Sequence, residues 1–146
     1  MLSREEICRL IPHRDPFLWV DEVIDESENR LTGRKFVSPD LDVFRGHYPG
    51  QPVLPGVLLC EAALQAGAIL IARQGAVGAA TGRVPVATRL NNVKFRQMVR
   101  PGDTLEIDVE LVERLADACF LTGRIRVAGK TAVQLEFACT LAATGG

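Results

Sequence analysis

Only two histidines, His13 and His47, occur in 146 residues, and the four cysteines (Cys8, Cys60, Cys119 and Cys139) include no C-x-x-C pair. No metal-ligand cluster stands out from that set. The cysteines read instead as reduced thiols of a cytoplasmic protein. The N-terminal MLSREEICRLIPHRDPF contains no apolar run suited to a signal peptide. Neither sign of charge dominates, since 17 Lys and Arg stand against 18 Asp and Glu, so no electrostatic footprint for nucleic acid is present. Internal repeats, low-complexity tracts, long linkers and nucleotide-binding glycine motifs are missing as well.

What is present is a balanced globular composition, 47% hydrophobic and 24% charged, long enough to bury a core without staples. One domain spanning residues 1–146 is expected. The apolar stretch PGVLLCEAALQAGAILIA, from Pro55 to Ala72, is about long enough to cross a bilayer. Glu61 and Gln65 sit in its middle, however, and a carboxylate at that depth is costly, so the stretch reads as a buried core helix. Ser3 and Glu6 form a capping-box pattern that predicts a short helix over 3–10, ended by Pro12. Strands are expected over 17–24 and 30–37. The proline- and glycine-rich segment 38–55 reads as loop. A long helix should run over 56–73, with Pro55 suited to its start and Gly75, Gly78 and Gly82 marking its exit. Further strands are expected over 85–96, 104–113, 118–128 and 131–142. Leu105, Ile107, Val109 and Leu111 alternate with Glu106, Asp108 and Glu110, as in a half-buried antiparallel strand. Helix, two strands, loop, apolar helix and about four strands make an α+β architecture, an antiparallel sheet packed on a central helix.

Between Arg45 and Arg73 the one Asp, Glu, Lys or Arg is Glu61. Desolvation in an apolar helix would favour its protonated form, which makes it a candidate acid. The alternative is a structural glutamate that caps, or pairs with another subunit. His47 lies in RGHYPGQPVLPG, the loop leading into that helix. Its side chain has the proton affinity of a general base, and the surrounding prolines and glycines can stiffen the loop around it. A solvated surface histidine is the ordinary alternative. Unpaired N–H groups of Gly56 and Val57 at the helix start can polarise a thioester carbonyl, or simply bond to water or to loop carbonyls. Gln65 shares a helix face with Glu61 and can orient its carboxyl, or be a buried amide satisfied by backbone.

The segment GHYPGQPVLPGVLLCEAALQAG closely resembles the signature of the FabZ-type 3-hydroxyacyl-[acyl-carrier-protein] dehydratases, G-H-F-P-x-x-P-[VI]-x-P-G-V-L-x-x-E-A-x-x-Q. His47, Pro49, Pro52, Pro55, Gly56, Val57, Leu58, Glu61, Ala62 and Gln65 all fall in place, and so does the spacing from His47 to Glu61. Ile11 to Leu18 resembles the family's I-P-H-R-x-P-F-L. Val93 to Arg96, Val99 and Pro101-Gly102-Asp103 resemble its K-F-R-x-x-V-x-P-G-D stretch. The resemblance covers most of the chain. It implies a hotdog fold, with the sheet wrapped around one long helix. It implies a homodimer whose active sites each take the histidine from one subunit and the glutamate from the other, and many relatives assemble further into a trimer of dimers. It also implies that Val53 O accepts a hydrogen bond from His47 and that Gly56 N–H contacts the thioester carbonyl. Two departures stand out. Tyr48 replaces the usual Phe after the histidine, and Val84 to Leu90 lacks the aromatic that relatives often carry there to gate the acyl tunnel.

A 3-hydroxyacyl thioester has a weakly acidic C2 proton and a poor leaving group at C3, so elimination needs a base at one carbon and an acid at the other. His47 as base and Glu61 as acid meet that need without cofactor or metal. An acidic acyl carrier protein would call for basic docking residues, for which Arg96 and Arg100 are candidates, followed by Lys94 and Arg14. The competing expectations are a hotdog thioesterase, which would activate water instead, and a non-catalytic acyl-thioester-binding protein.

Overall fold

The structure, a computed structural model, describes residues 1–75 and 81–143. Helix α1 (Arg4–Leu10) is followed by strands β1 (Glu22–Glu26) and β2 (Arg30–Phe36), then by a 3₁₀ turn at Asp42–Arg45 and helix α2 (Gly56–Arg73). Strands β3 (Arg83–Phe95), β4 (Thr104–Leu115), β5 (Ala118–Val127) and β6 (Lys130–Ala143) complete the chain. The six strands form one antiparallel sheet in the order β1-β2-β4-β5-β6-β3. It curves around α2, the hotdog arrangement.

Period-two alternation explains the curl. Leu105, Ile107 and Val109 on β4, Cys119, Leu121 and Ile125 on β5, and Leu135, Phe137 and Leu141 on β6 all turn inward and are buried. They close over a helix whose sheet-facing residues are small: Ala62, Ala63, Ala66 and Gly67 are enclosed. Gly67 shows how close the approach is, because a Cβ there would sit 2.8 Å from the Phe137 ring. α2 is long and apolar enough to cross a bilayer, but 67% of it is enclosed by the fold, so most of its apolar surface is already covered.

The expected α1 is present with its capping box. The Ser3 hydroxyl accepts from Glu6 N–H, and the Glu6 carboxylate accepts from Ser3 N–H. The bounds expected for α2 hold at both ends. Gly75 lies just beyond its C-terminus at φ +80°, whereas Gly78 lies outside the described residues. The strand expected over 17–24 begins only at Glu22. Residues 17–20 belong to no strand; the Gln65 side chain of α2 accepts from Trp19 N–H and donates to Phe17 O, and Phe17 N–H turns back to Arg14 O. A periodicity argument reads burial and cannot distinguish such partners from a neighbouring strand.

Candidate active site

The loop that carries His47 is closed by reciprocal bonds with Val53. Val53 N–H donates to His47 O at 3.0 Å, and the His47 ring nitrogen Nδ1 lies 2.7 Å from Val53 O. A carbonyl can only accept, so Nδ1 carries the proton. Nε2 of the neutral ring is therefore a free lone pair, the form a general base requires. The loop is tied down further on by Leu54 N–H donating to Val99 O at 2.8 Å. Tyr48 stacks on the imidazole with ring centroids 4.0 Å apart.

Glu61 stands one and a half turns into α2. It belongs to a stripe formed with Val57, Leu58 and Leu64 that one chain leaves incompletely covered, on a helix enclosed elsewhere. The burial expected for Glu61 is accordingly partial, with its side chain 22% exposed. Gln65 Nε2 donates to Glu61 Oε2 at 2.9 Å. That oxygen is thereby an acceptor, and Oε1 has no hydrogen bond among the described residues. The same amide donates to Phe17 O at 2.9 Å, and its oxygen accepts from Trp19 N–H at 2.7 Å. Both alternatives for Gln65 are therefore realised together, since it contacts Glu61 and satisfies buried backbone.

At the start of α2 the N–H groups of Gly56 and Val57 find no acceptor among the described residues. The ring of Phe95 lies directly over Gly56, and a Cβ at position 56 would approach Phe95 Cε1 to 2.5 Å. Glycine is thus required for the ring and the helix start to sit together. Phe95 and Met98 are 56% and 64% exposed, and Val57 is 71% exposed, so the mouth of the helix start is apolar. Arg96 and Arg100 follow Phe95 and Met98 in the chain, exposed and in no ion pair with described residues; Arg96 Nε donates to Gln134 Oε1 at 3.4 Å and Arg100 touches Met98 Sδ at 3.8 Å. Lys94 pairs across β6 with Gln134 and lines a groove on the far face of the sheet with Arg124 and Glu136, away from α2. Arg14 is occupied elsewhere, since its guanidinium donates to the carbonyls of Cys8, Ile11 and His13 and closes the turn after α1. Cys60, beside Glu61, is buried, and burial pushes its thiol upward, away from the thiolate a nucleophile needs.

Among the described residues, no hydrogen bond or ion pair joins His47 to Glu61 of the same chain. Glu61 faces His13 instead, whose Nε2 is 3.8 Å from Glu61 Oε2. Sequence reasoning placed His13 within a motif but gave it no task, and Phe95 likewise. The sequence holds no local signal for either, because both reach the site through tertiary packing.

Comparison with known proteins adds the family. Residues 11–136 match the FabA-like domain. A 3-hydroxyacyl-[acyl-carrier-protein] dehydratase FabZ of Clostridium acetobutylicum is 40% identical over 92% of this chain and 94% of that protein. The protein of the same name from Caulobacter vibrioides is 38% identical over 96% of this chain and 88% of its own. Among solved structures, the dehydratase heterocomplex ApeI:P from Xenorhabdus doucetiae superposes with a TM-score of 0.78 at 20% identity, covering 94% of this chain and 91% of that one. A hypothetical thioesterase from Streptococcus pneumoniae, solved with coenzyme A, gives 0.63 at 13% identity over 86% and 88%. At those identities the two structures speak for the fold alone. The bonds made by Gln65 give a direct prediction. Gln65→Leu strands Trp19 N–H and Phe17 O in a buried site and should lower unfolding stability by about 2–4 kcal/mol, measured by urea denaturation.

Proposed function

The chain belongs to the FabA-like family as a 3-hydroxyacyl-[acyl-carrier-protein] dehydratase of the FabZ type, and from that premise we propose that His47 and Glu61 carry out the elimination together across a subunit boundary. The substrate in this reading is a (3R)-3-hydroxyacyl thioester on acyl carrier protein, and the products are the trans-2-enoyl thioester and water. His47 Nε2 removes the C2 proton. The developing enolate oxygen is held by Gly56 N–H, with Val57 N–H beside it, at the positive end of α2. Glu61 gives its proton, carried on Oε1, to the C3 hydroxyl, which departs as water. The proton on His47 then returns to Glu61 through solvent, and both groups are restored. Val53 and Gln65 act by orientation, each fixing which atom of its partner is free to react. The chemistry uses side chains and backbone alone.

The observation that carries this reading is the complementary pinning of the two groups, an imidazole held so that it can only accept and a carboxyl held so that one oxygen remains for a proton. The boundary is supported by two surfaces that one chain leaves open. β3 is a 13-residue edge strand bearing exposed Val86 and Leu90, and such an edge is a template for another strand. The uncovered α2 stripe of Val57, Glu61 and Leu64 is the second. A homodimer that pairs β3 with its twin would cover the edge and bring His47 of the partner subunit toward Glu61. The working place of such an enzyme, and of its carrier substrate, is the cytoplasm.

His47→Ala and Glu61→Gln are each expected to lower turnover of a 3-hydroxyacyl thioester by about a thousandfold, with circular dichroism unchanged. A rate near the parent's in either variant would refute the assignment. Carrier docking falls to Arg96 and Arg100, beside the apolar mouth formed by Phe95 and Met98. Arg96→Glu should weaken carrier binding about tenfold at low salt, with the difference shrinking at high salt. Lys94→Glu, on the far face, should weaken it much less when both are titrated by calorimetry.

A further inference from the structure

His13 is the one histidine the proposed elimination leaves unused, yet it stands beside the acid. It follows α1 directly, and the turn that bears it is fastened at both ends. Arg14 donates to Cys8 O, Ile11 O and His13 O within 2.8 Å, and Gln65 holds Phe17 O further along. The His13 side chain is 29% exposed, but its Nδ1 is buried and has no hydrogen-bond partner among the described residues. A proton on Nδ1 would have no acceptor, and an unmet buried donor is costly, so the neutral ring carries its proton on Nε2. That is the atom facing Glu61 Oε2 at 3.8 Å. The two histidines thus hold opposite tautomers. His47 offers a lone pair from Nε2, and His13 offers an N–H from the same position.

We propose that His13 is a positioning residue for the acid, whose Nε2–H closes onto Glu61 Oε2 as that group gives up its proton. The inference rests on Glu61 being the proton donor. At 3.8 Å the pair is beyond hydrogen-bond range. When the O–H bond of Glu61 breaks and its proton passes to the departing hydroxyl, negative charge appears on the carboxylate. A donor less than an ångström from contact then forms a charge-assisted bond, alongside the one from Gln65. His13 keeps its own proton throughout, so the proton balance of the reaction is untouched. The gain exists in the transition state and not in the bound substrate, so it belongs to kcat.

The test compares His13→Leu, His13→Asn and His13→Gln in steady-state kinetics with a 3-hydroxyacyl thioester. The amide of Gln can place an N–H where Nε2 stood, whereas that of Asn is too short and Leu has none. Leu and Asn should lower kcat about tenfold with KM within twofold, and Gln should recover most of it. Should His13→Leu fold poorly, the Asn and Gln pair alone gives the contrast. An unchanged kcat in Leu and Asn, or a loss that Gln does not repair, overturns the inference. Glu61→Gln is assayed beside them. If it is inactive while His13→Leu and His13→Asn are normal, the role of His13 fails alone; if it is active, the assignment of the acid fails and this inference with it.

Discussion

Gln65 uses its hydrogen-bonding capacity in two directions at once. Its oxygen takes Trp19 N–H, and its amide nitrogen gives to Phe17 O and to Glu61. The segment after α1, which forms no strand, is bonded to α2 through that one side chain, and the Glu61 carboxyl is oriented by the same group. Fold and chemistry therefore share a constraint. Loss of the amide would free the chain that carries His13 and the acid together. A buried amide bonded at both ends in this way rigidifies its surroundings more than isolated contacts do.

The rest of the molecule serves to hold this cluster at one end of an enclosed helix. Small residues on α2 let the sheet close to contact distance, and the sheet in turn leaves the stripe from Val57 to Leu64 open along the first half of the helix. Phe95, from the end of β3, leans over Gly56, so the strand at the sheet edge and the start of the helix form one mouth. A homodimer built on that edge would explain why no hydrogen bond or ion pair joins His47 to Glu61 within the described residues of one chain.

Much of this was legible in the sequence because the signals were local. Ser3 and Glu6 mark a cap, Pro55 and Gly75 bracket α2, and alternation from Leu105 to Leu111 gives β4 its inward face. The lone charge of Glu61 in an apolar run singled it out before any fold was known. What escaped was non-local. Residues 17–20 have the composition of a strand, but their partner is a side chain forty-odd positions away. His13 and Phe95 reach the site by packing, which no spacing rule encodes. Nor does spacing tell where the basic side chains go: Lys94 lines the groove on the face away from α2, and Arg96, two residues on, reaches across to Gln134 of β6.

Sharing of each site between two chains can be measured directly by mixing two inactive variants. His47→Ala and Glu61→Gln chains, unfolded together and refolded as a mixture, form dimers of which about half are mixed, and each mixed dimer holds one site with both groups intact. The expected result is recovery of about a quarter of the parent activity from two inactive proteins. A mixture as inactive as its components, with mixed dimers shown to be present by native mass spectrometry, would contradict a site built from two subunits.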